Sequence, residues 1–322
     1  MSAVKKKYQR IPYLIVFQEQ ATFKDTYGGA EGSVALEAHL LKPDTESDTV
    51  VIMMHPIGGG ALSLFYQAEA ENPTVTQTPA GDPIDLTKAN LIPADGIALL
   101  AAHLSRNLTL TEWIDPSISD ESRPFDRDPE LNIYDPANPN QAPYPSEYVA
   151  RYRAAQVARN RRITAWVKAQ LAELKAAGLH NHERGFVVQG TMADPRFIDE
   201  TLEPSDRRPN YCMLGDPVVV NDGPVGLARF STLRSWMSQW SYDDSNADGL
   251  KCAARISVPM LVIENSADDA CTPSHAARLM AAAVKAPQTH AVIKGANHYY
   301  SGQPDKAAES ADVFVEWLNA TF

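Results

Sequence analysis

The sequence predicts an α/β protein with a mostly parallel sheet and helices on both faces, and three observations carry that expectation. Short apolar runs of the kind found in strands buried on both sides recur along the chain, at 49–55 (TVVIMMH), 96–104 (GIALLAAHL), 185–189 (GFVVQ) and 257–263 (SVPMLVI). Stretches of good helix formers alternate with them, which is the pattern of strands joined by crossovers. The composition is 44% hydrophobic and 21% charged over 322 residues, the balance of a globular chain long enough for one large α/β domain with a cap or for two ordinary domains.

From the start, Ser33–Lys42 alternates loosely after Gly-Gly-Ala-Glu-Gly and reads as part of a hairpin. The run 49–55 follows, then Gly58–Gly60 as a turn and Ala61–Glu71 as a helix. After the strand at 96–104, residues 123–146 carry prolines, Asn and Asp that break any period and form an excursion outside the sheet. Ser146 then caps a long helix over 147–177, with Val149, Tyr152, Val157, Ile163, Trp166, Val167, Leu171 and Leu174 near one stripe and Gly178 as its stop. Its arginines (151, 153, 159, 161 and 162) suit either a solvated face or an anion site, and the solvated face is preferred. The last seventy residues give a strand at 257–263, a helix opened by Thr272 and Pro273, a strand at 290–293 and a closing helix over 306–318. The divisions expected are 1–104 as the first part of the core, 105–255 as a cap with one core-like strand near 185–190, and 256–322 as the rest of the core.

Charge and cysteines narrow the partners and the compartment. Acidic residues outnumber basic ones 40 to 29, so the chain lacks the positive field that gathers phosphate backbones, and nucleic acid is not an expected partner. No run approaches the eighteen or more apolar residues of a membrane span. The opening MSAVKKKYQRIPYLIVF has too short an apolar run for a secretory signal, and three cysteines without metal-like spacing suit free thiols in a reducing, cytoplasmic setting. His180 and His182, a close histidine pair, fit a solvated loop better than a metal site.

In an open parallel sheet, ligands meet the loops at the carboxyl ends of the strands, and three such ends stand out. His55-Pro56-Ile57-Gly58-Gly59-Gly60 would let backbone N–H groups approach a ligand oxygen, with Ile57 and Gly58 as donors because Pro56 has none. Asp268 and Asp269 follow the strand at 257–263, and either can hold a histidine's tautomer or simply cap the loop. His298 lies on a tight glycine turn, Gly-Ala-Asn-His-Tyr.

Together, the hairpin, the strand ending H-P-I-G-G, the strand VPMLVI with its D-x-x-x-P, and the G-A-N-H-Y turn resemble the α/β-hydrolase family. That resemblance implies Asp269, four residues before Pro273, as triad acid, with Asp268 as the fallback, and His298 as base, in the family's chain order. The sequence departs from the family at the nucleophile. No G-x-S-x-G run occurs, nor the same turn with Cys or Asp at its centre. One reading makes 185–189 the elbow strand and puts Met192 at the tip of Gly190-Thr191-Met192-Ala193-Asp194; a thioether cannot serve there. The preferred reading joins the oxyanion loop directly to the helix that normally follows the elbow, so that Ile57 takes the nucleophile's place and the central strands are missing. Ser63, within the new helix, is the remaining nucleophile candidate, and Ser105 ranks below it.

The resemblance implies a hydrolase of a small ester, thioester or amide, without metal or cofactor, in which a small-molecule substrate is the partner and a homodimer is allowed. Two other classes stay open: an inactive member of the fold that binds a small molecule through the old pocket, and a cofactor-free oxygenase using the same His and Asp.

Overall fold

The computed structural model describes residues 8–18, 33–43, 45–53 and 58–322. These fall into two units. The first holds the described residues up to Met53 together with Leu174–His182, and the second holds those of Met54–Glu173 and Glu183–Phe322. Most of the segment 105–255 shares the second unit with the sheet, and its residues Leu174–His182 belong to the first.

The first unit contains an antiparallel hairpin, β1 (Tyr8–Gln18) and β2 (Ser33–Pro43), with Tyr8 opposite Pro43 and Gln18 opposite Ser33. The expected strand at 49–55 does not form over its described part. Thr49–Met53 joins no ladder, and Val50, Ile52 and Met53 are more than three-quarters exposed. An apolar run becomes a buried parallel strand only when neighbours on both sides take its backbone bonds, and among the described residues the run has none.

The second unit is built on a three-stranded parallel sheet in the order β3 (Ile97–Leu100), β6 (Met260–Asn265), β7 (Gln288–Ile293), with Met260 opposite both Ile97 and Gln288. Central β6 is apolar on both faces because both are covered. Met260 and Val262 pack with Ile97, Leu99, Leu64 of α1 (Gly59–Glu71) and Leu279 of α6 (Pro273–Ala282). Leu261 and Ile263 pack on the opposite side with Ile293 and Trp317 of α7 (Pro304–Thr321). Truncating Leu261 to Ala should cost about 2–5 kcal/mol, the range for a fully buried aliphatic side chain. Pro273 opens α6 at its first turn, where a missing N–H costs nothing.

Between these elements lie α2 (Arg106–Trp113), α3 (Ser146–Ala176), β4 (Gly185–Val187), α4 (Pro217–Asp222), β5 (Phe230–Thr232) and α5 (Gly249–Ala253). The core-like strand expected near 185–190 is a correction: β4 is three residues long and pairs antiparallel with β5 in a ribbon of its own. It cannot be an elbow strand, which must stand in the parallel sheet. Met192 is buried against Trp113, Phe197 and Cys212, a packing role.

The face that α3 buries is also unlike the expected apolar stripe. Tyr152, Ile163 and Val167 are buried as the stripe requires, but so are Gln156, Arg159, Asn160 and Thr164. Arg159 is fully buried, not solvated, and all five of its N–H donors are used, on both Glu121 oxygens and on the carbonyls of Asp115, Gln189 and Gly190. Asn160 donates to the Thr111 hydroxyl and the Trp240 carbonyl and accepts from the Tyr242 amide. The helix thus gathers irregular segments by their backbone groups, which need partners once buried.

Candidate active site

The loops after β6 and β7 are tied together before any catalytic side chain is considered. The Ser266 amide donates to the Ile293 carbonyl at 3.2 Å and the Ala267 amide to the Ala296 carbonyl at 3.0 Å. The Gly295 amide donates to the Ser266 hydroxyl at 2.8 Å, and the Asn265 side chain to the Asn297 carbonyl at 2.9 Å. Gly295 turns the second loop with φ +72°, a backbone conformation a side chain would strain.

On this frame His298 and Asp268 meet. Asp268 is 1% exposed, and its Oδ1 accepts from the amides of Ala270 at 2.7 Å and Cys271 at 2.8 Å. Its Oδ2 lies 2.8 Å from Nδ1 of His298. One oxygen caps the loop while the other holds the imidazole, so the two roles weighed for this aspartate are both performed by one carboxylate. A carboxylate oxygen facing Nδ1 accepts from it, so in the neutral ring Nε2 is the nitrogen that carries the lone pair.

The expected acid was Asp269, and the histidine's partner is its neighbour. The reason is local: an aspartate two and three residues before the Ala270 and Cys271 amides is the one they can orient, and that position is 268. Burial, and then the like charge of Asp268, push the Asp269 carboxyl above its usual range.

His298 and Tyr299 border a cavity of about 150 Å3 walled by Trp113, Leu227 and Trp240, with His103 on its lining. Gly58 also lines it, at φ +80° ahead of α1, and a Cβ there would stand 2.6 Å from Nε of Arg106. Of the two expected oxyanion donors Gly58 therefore borders the same cavity as His298, and Ile57 lies outside the described residues. Ser63 is on α1, where its Oγ donates to the Gly59 carbonyl at 2.8 Å, the back-bonded arrangement of a helical serine. Ser105 is buried and caps α2, its side chain accepting from the Leu108 amide at 3.1 Å.

Two histidines that are not among the expected site residues stand close by. His103 sits 5.5 Å from the His298 ring and 5.7 Å from the His275 ring, centroid to centroid, with Trp113 edge-on at 5.6 Å. Carrying the strand through 104 hid it; β3 ends at Leu100, which puts His103 in a loop at a carboxyl strand end, the very place where ligands are met. His275 is in the first turn of α6 and 1% exposed. Burial, and then the charge of Arg196, pull its pKa down to about 4. Burial, with the neighbouring His275 and His298, does the same for His103, which is held well below the ordinary imidazole value.

The three thiols, Cys212, Cys252 and Cys271, are free and buried, and burial raises the pKa of each. Among the described residues no helix is long and apolar enough to cross a membrane.

No family model matches this sequence, and no curated protein does. Among solved structures the chain is similar to VinJ, at 12% identity, over 82% of this chain and 64% of VinJ, with a TM-score of 0.31. The likeness is too loose to carry functional weight. What stands is a mixed α/β chain with a three-stranded parallel sheet, at whose carboxyl end a histidine and a buried carboxylate are paired.

Proposed function

We propose that this chain is an α/β-hydrolase-like enzyme that cleaves a small, neutral ester, thioester or amide by general-base attack of water. One observation carries the reading: the 2.8 Å bond between Asp268 and His298, on adjacent strand ends beside an apolar cavity. Asp268 fixes the tautomer, and Nε2 of His298 takes a proton as the water oxygen bonds to the acyl carbon. The imidazolium, stabilised by Asp268, then returns that proton to the leaving group. The amide of Gly58, which borders the cavity, would serve the oxygen on which negative charge develops. No covalent intermediate is needed, which is consistent with Ser63 and Ser105 both being engaged in local backbone bonds. A cavity of about 150 Å3 favours a short acyl group, and the segment 105–255 supplies much of its wall.

A second reading, a small-molecule binder without turnover, is favoured by that same engagement of Ser63. Hydrolysis of short-chain p-nitrophenyl esters by the purified protein and by His298→Ala separates the two. The catalytic reading expects a loss of roughly 10²–10⁴-fold in kcat/KM on removing the base. Wild-type rates equal to those of the variant across acyl lengths would reject it in favour of the binder.

A further inference from the structure

We propose that His103, Cys271 and His275 form a binding site for a borderline transition-metal ion of the zinc class. One donor atom from each lies within 4.8 Å of the others, from a loop after β3, the residue before α6's cap and the first turn of α6. Imidazole nitrogen with thiolate sulfur is the donor set such ions prefer, and three protein ligands leave a fourth position open. Donors 2.0–2.3 Å from a tetrahedral ion stand about 3.5 Å apart, so the cluster has to close by no more than about 1.3 Å, within reach of small side-chain rotations.

The observation that points to a ligand is His275. Its ring is buried, and neither nitrogen has a hydrogen-bond partner. A buried polar atom left unpaired costs about 1–3 kcal/mol, and an ion at one nitrogen would remove part of that cost. The Glu112 carboxylate, held by Arg196 and Arg278, lies 3.9 Å from Nε2, beyond hydrogen-bond reach, so it does not satisfy the ring. His103 has the Thr109 hydroxyl 3.4 Å from Nδ1.

A second trio, Asp268, Cys271 and His298, shares the sulfur. There the carboxylate oxygens of Asp268 are already held by His298 Nδ1 and by two amides, whereas both nitrogens of His275 in the first trio are unpartnered. Binding at the first trio releases the Cys271 proton to solvent and places a cation beside the His298 dyad. The site does not depend on the hydrolytic reading.

Titrating the chelator-treated protein with Co²⁺ tests this. A thiolate-to-cobalt charge-transfer band in the near ultraviolet should saturate at about one ion per chain and be displaced by Zn²⁺. Cys271→Ser should abolish the band. His275→Gln should weaken binding by about a hundredfold or more, and His298→Ala should retain the ion while losing any hydrolysis. Absence of the band in the wild-type protein overturns the proposal whatever the variants do, as does its persistence in Cys271→Ser.

Discussion

The loops after β6 and β7 and the buried face of α3 are both dense polar networks, yet they differ in how far apart their partners lie along the chain. Within each loop the bonds run two to six residues, as from Asp268 to Ala270 or from Asn297 to Gln303, and the loops meet because their strands are neighbours. On α3, Arg159 reaches Gln189 and Asn160 reaches Trp240, 30 and 80 residues on. Local networks leave a pattern of glycine, proline and aspartate that a sequence displays; distant ones leave a charged residue indistinguishable from any other. The first should govern turnover, the second folding.

The largest effect that can break this division is at the acid. Asp268→Asn should lower kcat/KM for ester hydrolysis by roughly 10²–10⁴-fold, because the amide no longer holds the productive tautomer or stabilises the imidazolium. Asp269→Asn should change it by less than about threefold, the residue being outside the histidine's bond. Equal losses in the two variants, measured by steady-state kinetics, would mean that the proposed proton chemistry does not depend on the 2.8 Å contact.

Next comes α3. Arg159→Ala takes the guanidinium away from Glu121 and from the carbonyls of Asp115, Gln189 and Gly190, and urea denaturation should show a loss of about 3–5 kcal/mol, the cost of removing one partner from a buried charge network. Arg161, paired with Asp243 at the surface, is the control. Arg161→Ala should cost less than about 1 kcal/mol. Similar losses at the two positions would erase the distinction between a buried organiser and a solvated face.

A smaller effect belongs to pH. Burial alone would raise the Asp194 carboxyl, but the charges of Arg153 and Arg196 outweigh it and hold the group well below its ordinary value. A carboxylate depressed in the folded state stabilises it fully above its unfolded pKa of about 4 and loses that contribution as pH falls further. The urea midpoint should therefore drop between pH 5 and pH 3. Asp194→Asn should start lower at pH 5 and fall less over the same interval; a fall as steep as wild type would assign the acid sensitivity elsewhere.

What the sequence disclosed follows the same rule. The apolar runs of β6 and β7, Pro273 at the start of α6 and the glycine turn before His298 are local features, and each lies where its pattern indicated. The run 49–53 has the composition of a buried strand but lacks neighbours, a property of the whole sheet. His103 was obscured by a strand boundary four residues too long, and His275 by sitting among ordinary helix formers. Choosing Asp269 over Asp268 followed a family spacing; the amides of Ala270 and Cys271 choose the other.

The smallest expected effect is at Ser63, and it bears most directly on mechanism. If water is the nucleophile, Ser63→Ala removes only a hydroxyl bonded to the Gly59 carbonyl within its own helix. Alanine is the better helix former by about half a kcal/mol, so stability should hold or rise slightly and kcat/KM should stay within about twofold. A fluorophosphonate probe, which reports an activated serine, should label neither protein. Labelling of the wild type that disappears in the variant would require Ser63 to leave its carbonyl and approach His298, and direct attack by water would then give way to an acyl-enzyme.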